Sequence, residues 1–180
     1  MASTHNCSDP NAFAPTKLDT DQWVESFEAF GAREAVLVAK HACGFCTWPS
    51  NATLPDGSRY PYSTAFSSWR GGKGDVVASF VESVTKAGLG AGFYYSLHQL
   101  GSHVMDAHNL SAAQIRGVET QQLTELWGRY GNLSEVWFDG KAFPGPPCRR
   151  VPCSPWQPHR HSQPGAPSAR RKLARCALML

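Results

Sequence analysis

The strongest constraint on the fold is a rhythm that occurs three times between residues 17 and 142. A capped amphipathic helix comes first, then a stop, then a short apolar run of strand length. Leu18 to Phe30 reads as the first helix, with Asp19 or Thr20 as its cap, Trp23, Phe27 and Phe30 on one face, and Gly31 at its end. Glu34 to Lys40 follows as an unbroken apolar run, a pattern that suits a strand covered on both faces. Asp75 caps a second helix to about Ala87, with Val76, Val77, Phe80, Val81 and Val84 turned inward and Gly88 as the stop. Leu89 to Tyr95 is the second strand, closed by Ser96. Ser111 caps a third helix with Ile115, Val118, Leu123, Leu126 and Trp127 inside, ended by Gly131. Leu133 to Phe138 is then a short buried strand that delivers Asp139 at its C-terminal end, and Gly140 lets the chain turn. Helix and strand alternating in this way imply parallel pairing through crossover connections. The fold class is α/β with about three βα units, which are fewer than half of an eight-stranded barrel or the core of an open doubly wound sheet.

Residues 42–73 and 97–110 read as loops. Connections as long as the first tend to be functional in compact domains. Residues 1–16 are polar and read as a disordered or loosely attached segment, and 17–142 as the folded unit. After Ala142 the character changes. Residues 143–180 carry seven Lys/Arg, no Asp or Glu and eight of the thirteen prolines, whereas 1–142 carry ten Lys/Arg and fourteen Asp/Glu. The net charge of +3 therefore comes from the tail. With no period of 2 or 3.6, the tail cannot bury enough apolar surface to offset its ordering entropy, so it is expected to be disordered and to add nothing to the sheet.

No apolar run is long enough to span a membrane, and no membrane partner is expected. The N-terminus lacks a basic start followed by an apolar core, so no signal peptide is read there. Four of the five asparagines nevertheless stand in N-x-S/T sequons: Asn6, Asn51, Asn109 and Asn132. That hints at a secretory history.

If the strands are parallel, their C-terminal ends bring His41, Tyr94 to Ser96, and Trp137 with Asp139 to one rim, where α/β folds place their chemistry. An aromatic face stacks on the apolar side of a pyranose, His and Tyr meet its hydroxyls, and a carboxylate attacks the anomeric carbon or steadies an oxocarbenium-like transition state. Each residue alone has a plain structural reading: a core Tyr, a structural His, an Asp that caps a backbone N–H.

The competing motifs are weaker. Gly71-Gly72-Lys73-Gly74-Asp75 lacks the Ser/Thr after the Lys that a phosphate loop requires, and reads as a loop feeding the Asp75 cap. His98, His103 and His108 are spaced by five and do not share a helix face, so no metal is expected. Cys43-Gly-Phe-Cys46 has no second pair at zinc spacing and lies before Pro49 in a loop; it reads as two small half-buried residues. The basic stretch 149–175 carries one aromatic residue, Trp156, a weak signal for single-stranded nucleic acid, and none is expected as a partner.

Three stretches resemble the α-L-fucosidases of glycoside hydrolase family 29. Asp21-Gln-Trp-Val through Val38-Ala-Lys-His-Ala-Cys-Gly-Phe-Cys-Thr-Trp-Pro-Ser50 is similar to a helix and strand end of the family. Gly74-Asp-Val-Val with Ala87-Gly-Leu-Gly-Ala-Gly-Phe-Tyr-Tyr-Ser96 is similar to the next pair. Leu126 to Tyr130 with Glu135-Val-Trp-Phe-Asp-Gly140 is similar to the pair that bears the nucleophile. The likeness covers roughly residues 15–142. It implies a partial (β/α)8 barrel of the TIM type and retaining hydrolysis of terminal α-linked L-fucose from oligosaccharides or glycoproteins, without metal or organic cofactor. It also implies a lysosomal, vacuolar or extracellular setting. On this resemblance Asp139 falls on the nucleophile, and His41, Tyr94 and Trp137 fall on fucose-contacting positions. Ala42 and Cys43 stand where the family often has His and Asp.

A retaining mechanism uses two carboxyl groups ~5 Å apart. No carboxylate follows Asp139, so the acid/base partner is missing from this chain. The expectation is an inactive chain, or a crippled fucosidase that loses most of the ~10²–10⁴-fold that general acid catalysis contributes. Two alternatives stand beside it: a non-catalytic fragment that binds fucosylated glycans, and a nucleic-acid binder acting through its basic tail.

Overall fold

The computed structural model describes residues 9–140 and the backbone of residues 175–178. Three longer helices, α1 (Thr20–Ala29), α2 (Val76–Lys86) and α4 (Ala112–Arg129), alternate with strands β1 (Glu34–Lys40), β2 (Gly90–Ser96) and β3 (Glu135–Asp139). A short helix, α3 (Ser102–Ala107), and a further strand, β4 (Arg175–Leu178), complete the elements used below. Every strand pairing is parallel, in the spatial order β3-β2-β1-β4.

The caps lie where the residue types place them. Asp19 accepts the Gln22 N–H, Asp75 accepts the Ala78 N–H, and Ser111 with Gln114 forms a reciprocal capping box. The helices pack on one face of the sheet. Ala35, Leu37 and Ala39 of β1 and Ala91, Phe93 and Tyr95 of β2 join Val24, Phe27, Val77, Phe80, Val84, Val118 and Leu126 in one core. Phe80, Val77 and Val84 are fully buried there, and each contributes roughly 1.5–3 kcal/mol. The opposite face carries a smaller cluster of Val36, Val38 and Tyr94.

Several expectations are corrected. Residues 97–110 are not all loop, since they contain α3. Residues 10–12 form a 3₁₀ turn, and Phe13 packs against Phe45 and Trp69, so the part of residues 1–16 from Asp9 onward is attached to the fold. Residues 1–8 lie outside the described residues. On α1, Val24 and Phe27 are buried while Phe30, just past the last turn, is 79% exposed. On α4, Trp127 is 47% exposed, and the inner face is completed by Glu119 and Gln122 instead.

The third strand is not buried. Only its first two residues are half-covered, and Trp137 and Phe138 are each 43% exposed. Among the described residues β3 is the outer strand of the sheet and has a neighbour on one side. The tail also departs from its expectation, because β4 pairs in parallel with β1, Arg175 beside Glu34 through Leu178 beside Leu37. A four-residue strand, Arg-Cys-Ala-Leu, satisfies an edge even without a long-range period. The rest of the tail, including its basic cluster up to Lys172, lies outside the described residues.

Candidate functional site at the strand ends

The site sits at the C-terminal ends of β1, β2 and β3, on the sheet face away from the helices. Register explains its composition. Gly92 lies beside Glu135, Tyr94 beside Trp137 and Ser96 beside Asp139, so these residues line up along one face of two adjacent parallel strands. Gly92 is required in this row, because a Cβ there would approach the Glu135 Cβ to 2.8 Å and the Val36 Cγ2 to 3.1 Å.

His41 reaches the same face by an irregularity. The register of β1 against β2 shifts between Val38 and Lys40, so Lys40 pairs with Tyr95 instead of Ser96. Lys40 is thereby turned to the helix side, and the next residue, His41, stacks on the Tyr94 ring with centroids 5.5 Å apart and planes 16° apart. Trp137 meets the same tyrosine edge-on at 5.6 Å.

The four predicted residues are thus brought together around Tyr94. Its phenol donates to Asp139 Oδ2 at 2.6 Å, while Asp139 Oδ1 accepts the Gly140 N–H at 2.6 Å. Each carboxylate oxygen therefore has one donor. These bonds, Tyr94 foremost, hold the Asp139 carboxyl below the usual carboxylate range, and His41 nearby adds to the effect. Burial, followed by the adjoining carboxylate, pushes the Tyr94 phenol up to about 12. Asp139 is an ionised, exposed acceptor over a wide pH span, and Tyr94 stays a donor. The backbone of Asp139 is tied as well, since its carbonyl accepts the Leu97 N–H at 2.7 Å. Gly140 follows with φ +114°, and a Cβ there would lie 2.7 Å from Leu97 O, which is why the turn after the carboxylate takes glycine.

Behind this face lies a polar cluster that sequence reasoning missed. The Lys40 ammonium is fully buried, donates to Gln99 O at 2.8 Å, pairs with Glu119 at 3.3 Å and lies 4.1 Å from the centroid of the Tyr95 ring. Burial lowers its pKa, and Glu119 works against that shift. Glu119 also accepts the His98 backbone N–H. Tyr95 donates to Gln122 at 2.6 Å, and Glu125 accepts both the Trp48 indole at 2.8 Å and the Asn51 N–H at 2.7 Å. α4 therefore clamps the ends of β1 and β2 and the long loop after β1. The signal was present as Glu119, Gln122 and Glu125, acceptors three residues apart on the face of an otherwise apolar stripe.

The remaining motifs take other roles. Cys46 is fully buried, and burial pushes its thiol up; Cys43 is exposed, and the two are free thiols. His98 faces Glu119, His103 meets the Tyr62 ring, and His108 pairs with Asp56, so the three histidines do not converge. Among the described residues no group of three or more His, Cys, Asp or Glu could hold a metal, and no helix is long and apolar enough to cross a membrane. Beside His41, Phe13, Trp23, Val38, Cys43 and Phe45 line an apolar cavity of about 430 Å³.

The alpha-L-fucosidase family matches residues 8–152. "Alpha-L-fucosidase 1" of Arabidopsis thaliana is 37% identical over 136 residues, which are 74% of this chain and 24% of that protein. A crystal structure of a glycoside hydrolase 29 family member from an unknown rumen bacterium aligns with a TM-score of 0.59 at 36% identity, over 75% of this chain and 22% of that one. A glycoside hydrolase 29 α-L-fucosidase from Bacteroides thetaiotaomicron, captured as a trapped covalent intermediate with 2-fluoro-fucosyl fluoride, aligns with a TM-score of 0.60 at 25% identity. That match covers 73% of this chain and 29% of the other. The chain spans about a quarter of the length of these relatives. With the matched region holding all three longer helices and strands β1 to β3, this chain belongs to the α-L-fucosidase family, glycoside hydrolase family 29.

Proposed function

We propose that the rim formed by β1 to β3 is the nucleophile-bearing part of a retaining α-L-fucosidase site, carried on a portion of a (β/α)8 barrel. Asp139 is its nucleophile. The observation that carries the reading is the Tyr94–Asp139 bond of 2.6 Å between a buried phenol and an exposed, ionised carboxylate at a strand end. Asp139 attacks the anomeric carbon of a terminal α-linked L-fucose, and the glycosidic oxygen leaves with the bonding pair. A fucosyl ester forms and water cleaves it. Tyr94 fixes the attacking carboxylate and keeps it charged. Trp137 offers a half-exposed aromatic face to the apolar side of the sugar, and His41, exposed beside Tyr94, meets its hydroxyls.

The substrate class is a fucosylated oligosaccharide or glycoprotein, and the setting is the lumen of the secretory pathway or beyond it. Glu135 is the other carboxylate on this face of β3, two pleats below Asp139 at the far end of the strand. A second carboxyl group must protonate the leaving oxygen, and Glu135 stands four residues from Asp139 along the strand. An aryl α-L-fucoside with a good leaving group bypasses that need. Measurable release of the phenol that disappears in Asp139→Ala supports the reading, whereas no release from folded chain sinks this chain's standing as an enzyme. The non-catalytic alternative is separated by the same sample: fucose would bind with a Trp137-dependent fluorescence change while no phenol appears.

A further inference from the structure

Three of the chain's sequons fall in the described region, and all three lie around one element. Asn109 stands two residues before Ser111, the N-cap of α4. Asn132 stands three residues after Arg129, the last residue of the same helix. Asn51 belongs to the strip 51–53 that runs along α4: its N–H goes to Glu125, and the N–H and hydroxyl of Thr53 go to Gln121. The side of α4 turned to the sheet holds Tyr95 through Gln122 and packs Tyr130, at its C-cap, against Phe93. The sequons thus lie alongside α4 and at its two ends. All three asparagines are exposed. Asn109 has φ +46°, a left-handed turn conformation that asparagine tolerates.

We propose that Asn51, Asn109 and Asn132 are acceptor sites for N-linked glycans, which stand around α4. This does not depend on the hydrolase reading. In the transfer, each Asn Nδ2 loses a proton and forms a bond to the anomeric carbon of an oligosaccharide. The bond from that carbon to the diphosphate oxygen of a polyprenyl diphosphate donor breaks, and the diphosphate leaves with the electron pair.

The fold also assigns an order of events. Each sequon hydroxyl is engaged in the folded chain: Thr53 donates to Gln121 at 3.1 Å, Ser111 accepts the Gln114 N–H at 3.3 Å, and Ser134 donates to Ala91 O at 3.2 Å. A transferase that reads the Ser/Thr hydroxyl must therefore act before these bonds close, during translocation. Solubility and shielding of the exposed Trp127 side of α4 follow from bulky polar groups placed there.

The test is cell-free translation of the full chain, behind a cleavable leader, with and without microsomes, in an Asn6→Gln background that removes the fourth sequon. The expected result is a ladder of three mass steps that a glycan-releasing enzyme collapses. Asn51→Gln, Asn109→Gln and Asn132→Gln should each remove one step. Folded chain supplied to opened microsomes should gain none. Cleavage of the leader with no added mass would overturn the proposal, a substitution that leaves the ladder unchanged would strike out its asparagine, and modification of the folded chain would overturn the order.

Discussion

At the scale of single residues, the site depends on one hydrogen bond and one misplaced pleat. Tyr94 serves Asp139 as donor, and its loss in Tyr94→Phe removes the first cause of the lowered Asp139 pKa. The sign follows. A carboxyl held low in the folded state adds stability above its unfolded pKa, and that contribution is lost as pH falls through the folded value. Tyr94→Phe should raise the Asp139 pKa toward the ordinary carboxylate value in a carbon-13 titration, and move the acid limb of aryl fucoside turnover to higher pH. An unmoved titration would mean that Tyr94 does not govern the charge. The meeting of His41, Tyr94, Trp137 and Asp139 on one rim was legible in the sequence because strand ends are legible. Lys40 was not, because simple alternation would place it on the face of Val36 and Val38. The shift between Val38 and Lys40 sends it instead under Tyr95 and delivers His41 to the rim.

At the scale of elements, helix caps and strand starts were legible to within a residue or two, since Asp19, Asp75 and Ser111 each accept a backbone N–H that the first turn leaves without a partner in the helix. The inner face of α4 was not. A periodicity that counts only apolar residues selected Trp127, which is exposed, and passed over Glu119 and Gln122, which are buried because they have partners. Glu119 without Lys40 would be a buried charge lacking its counter-ion. Lys40→Met should therefore cost ~3–5 kcal/mol in urea denaturation, and Lys40→Met with Glu119→Leu should recover most of it. If the single substitution proves neutral, the pair does not hold the strand ends. A double variant that recovers stability but not fucose binding would assign the cluster to positioning the rim as well as to the fold.

At the scale of the whole molecule, the sheet has two kinds of edge. β1 is bordered by β4 from the far end of the chain, while β3 is the outer strand and shows Trp137 and Phe138. Composition hid the first fact, because a four-residue strand at the end of a Pro- and Arg-rich segment carries no period. The second was hidden because a strand buried in a complete barrel and one at an open edge have the same sequence. Removal of residues 175–180 should bare the ladder groups of β1 from Glu34 to Leu37. The shortened chain is expected to self-associate, seen as light scattering and early elution in size exclusion. A monodisperse shortened chain would show that β4 is dispensable.

The central claim is that Asp139 forms a covalent bond to fucose. The direct measurement is mass spectrometry of the chain after incubation with 2-deoxy-2-fluoro-fucosyl fluoride, whose leaving group needs no acid and whose fluorine slows release of the ester. The account predicts one added 2-fluoro-fucosyl group on the peptide that contains Asp139, and none on Asp139→Ala. Folded chain that stays unlabelled, or carries the label on another residue, would contradict it.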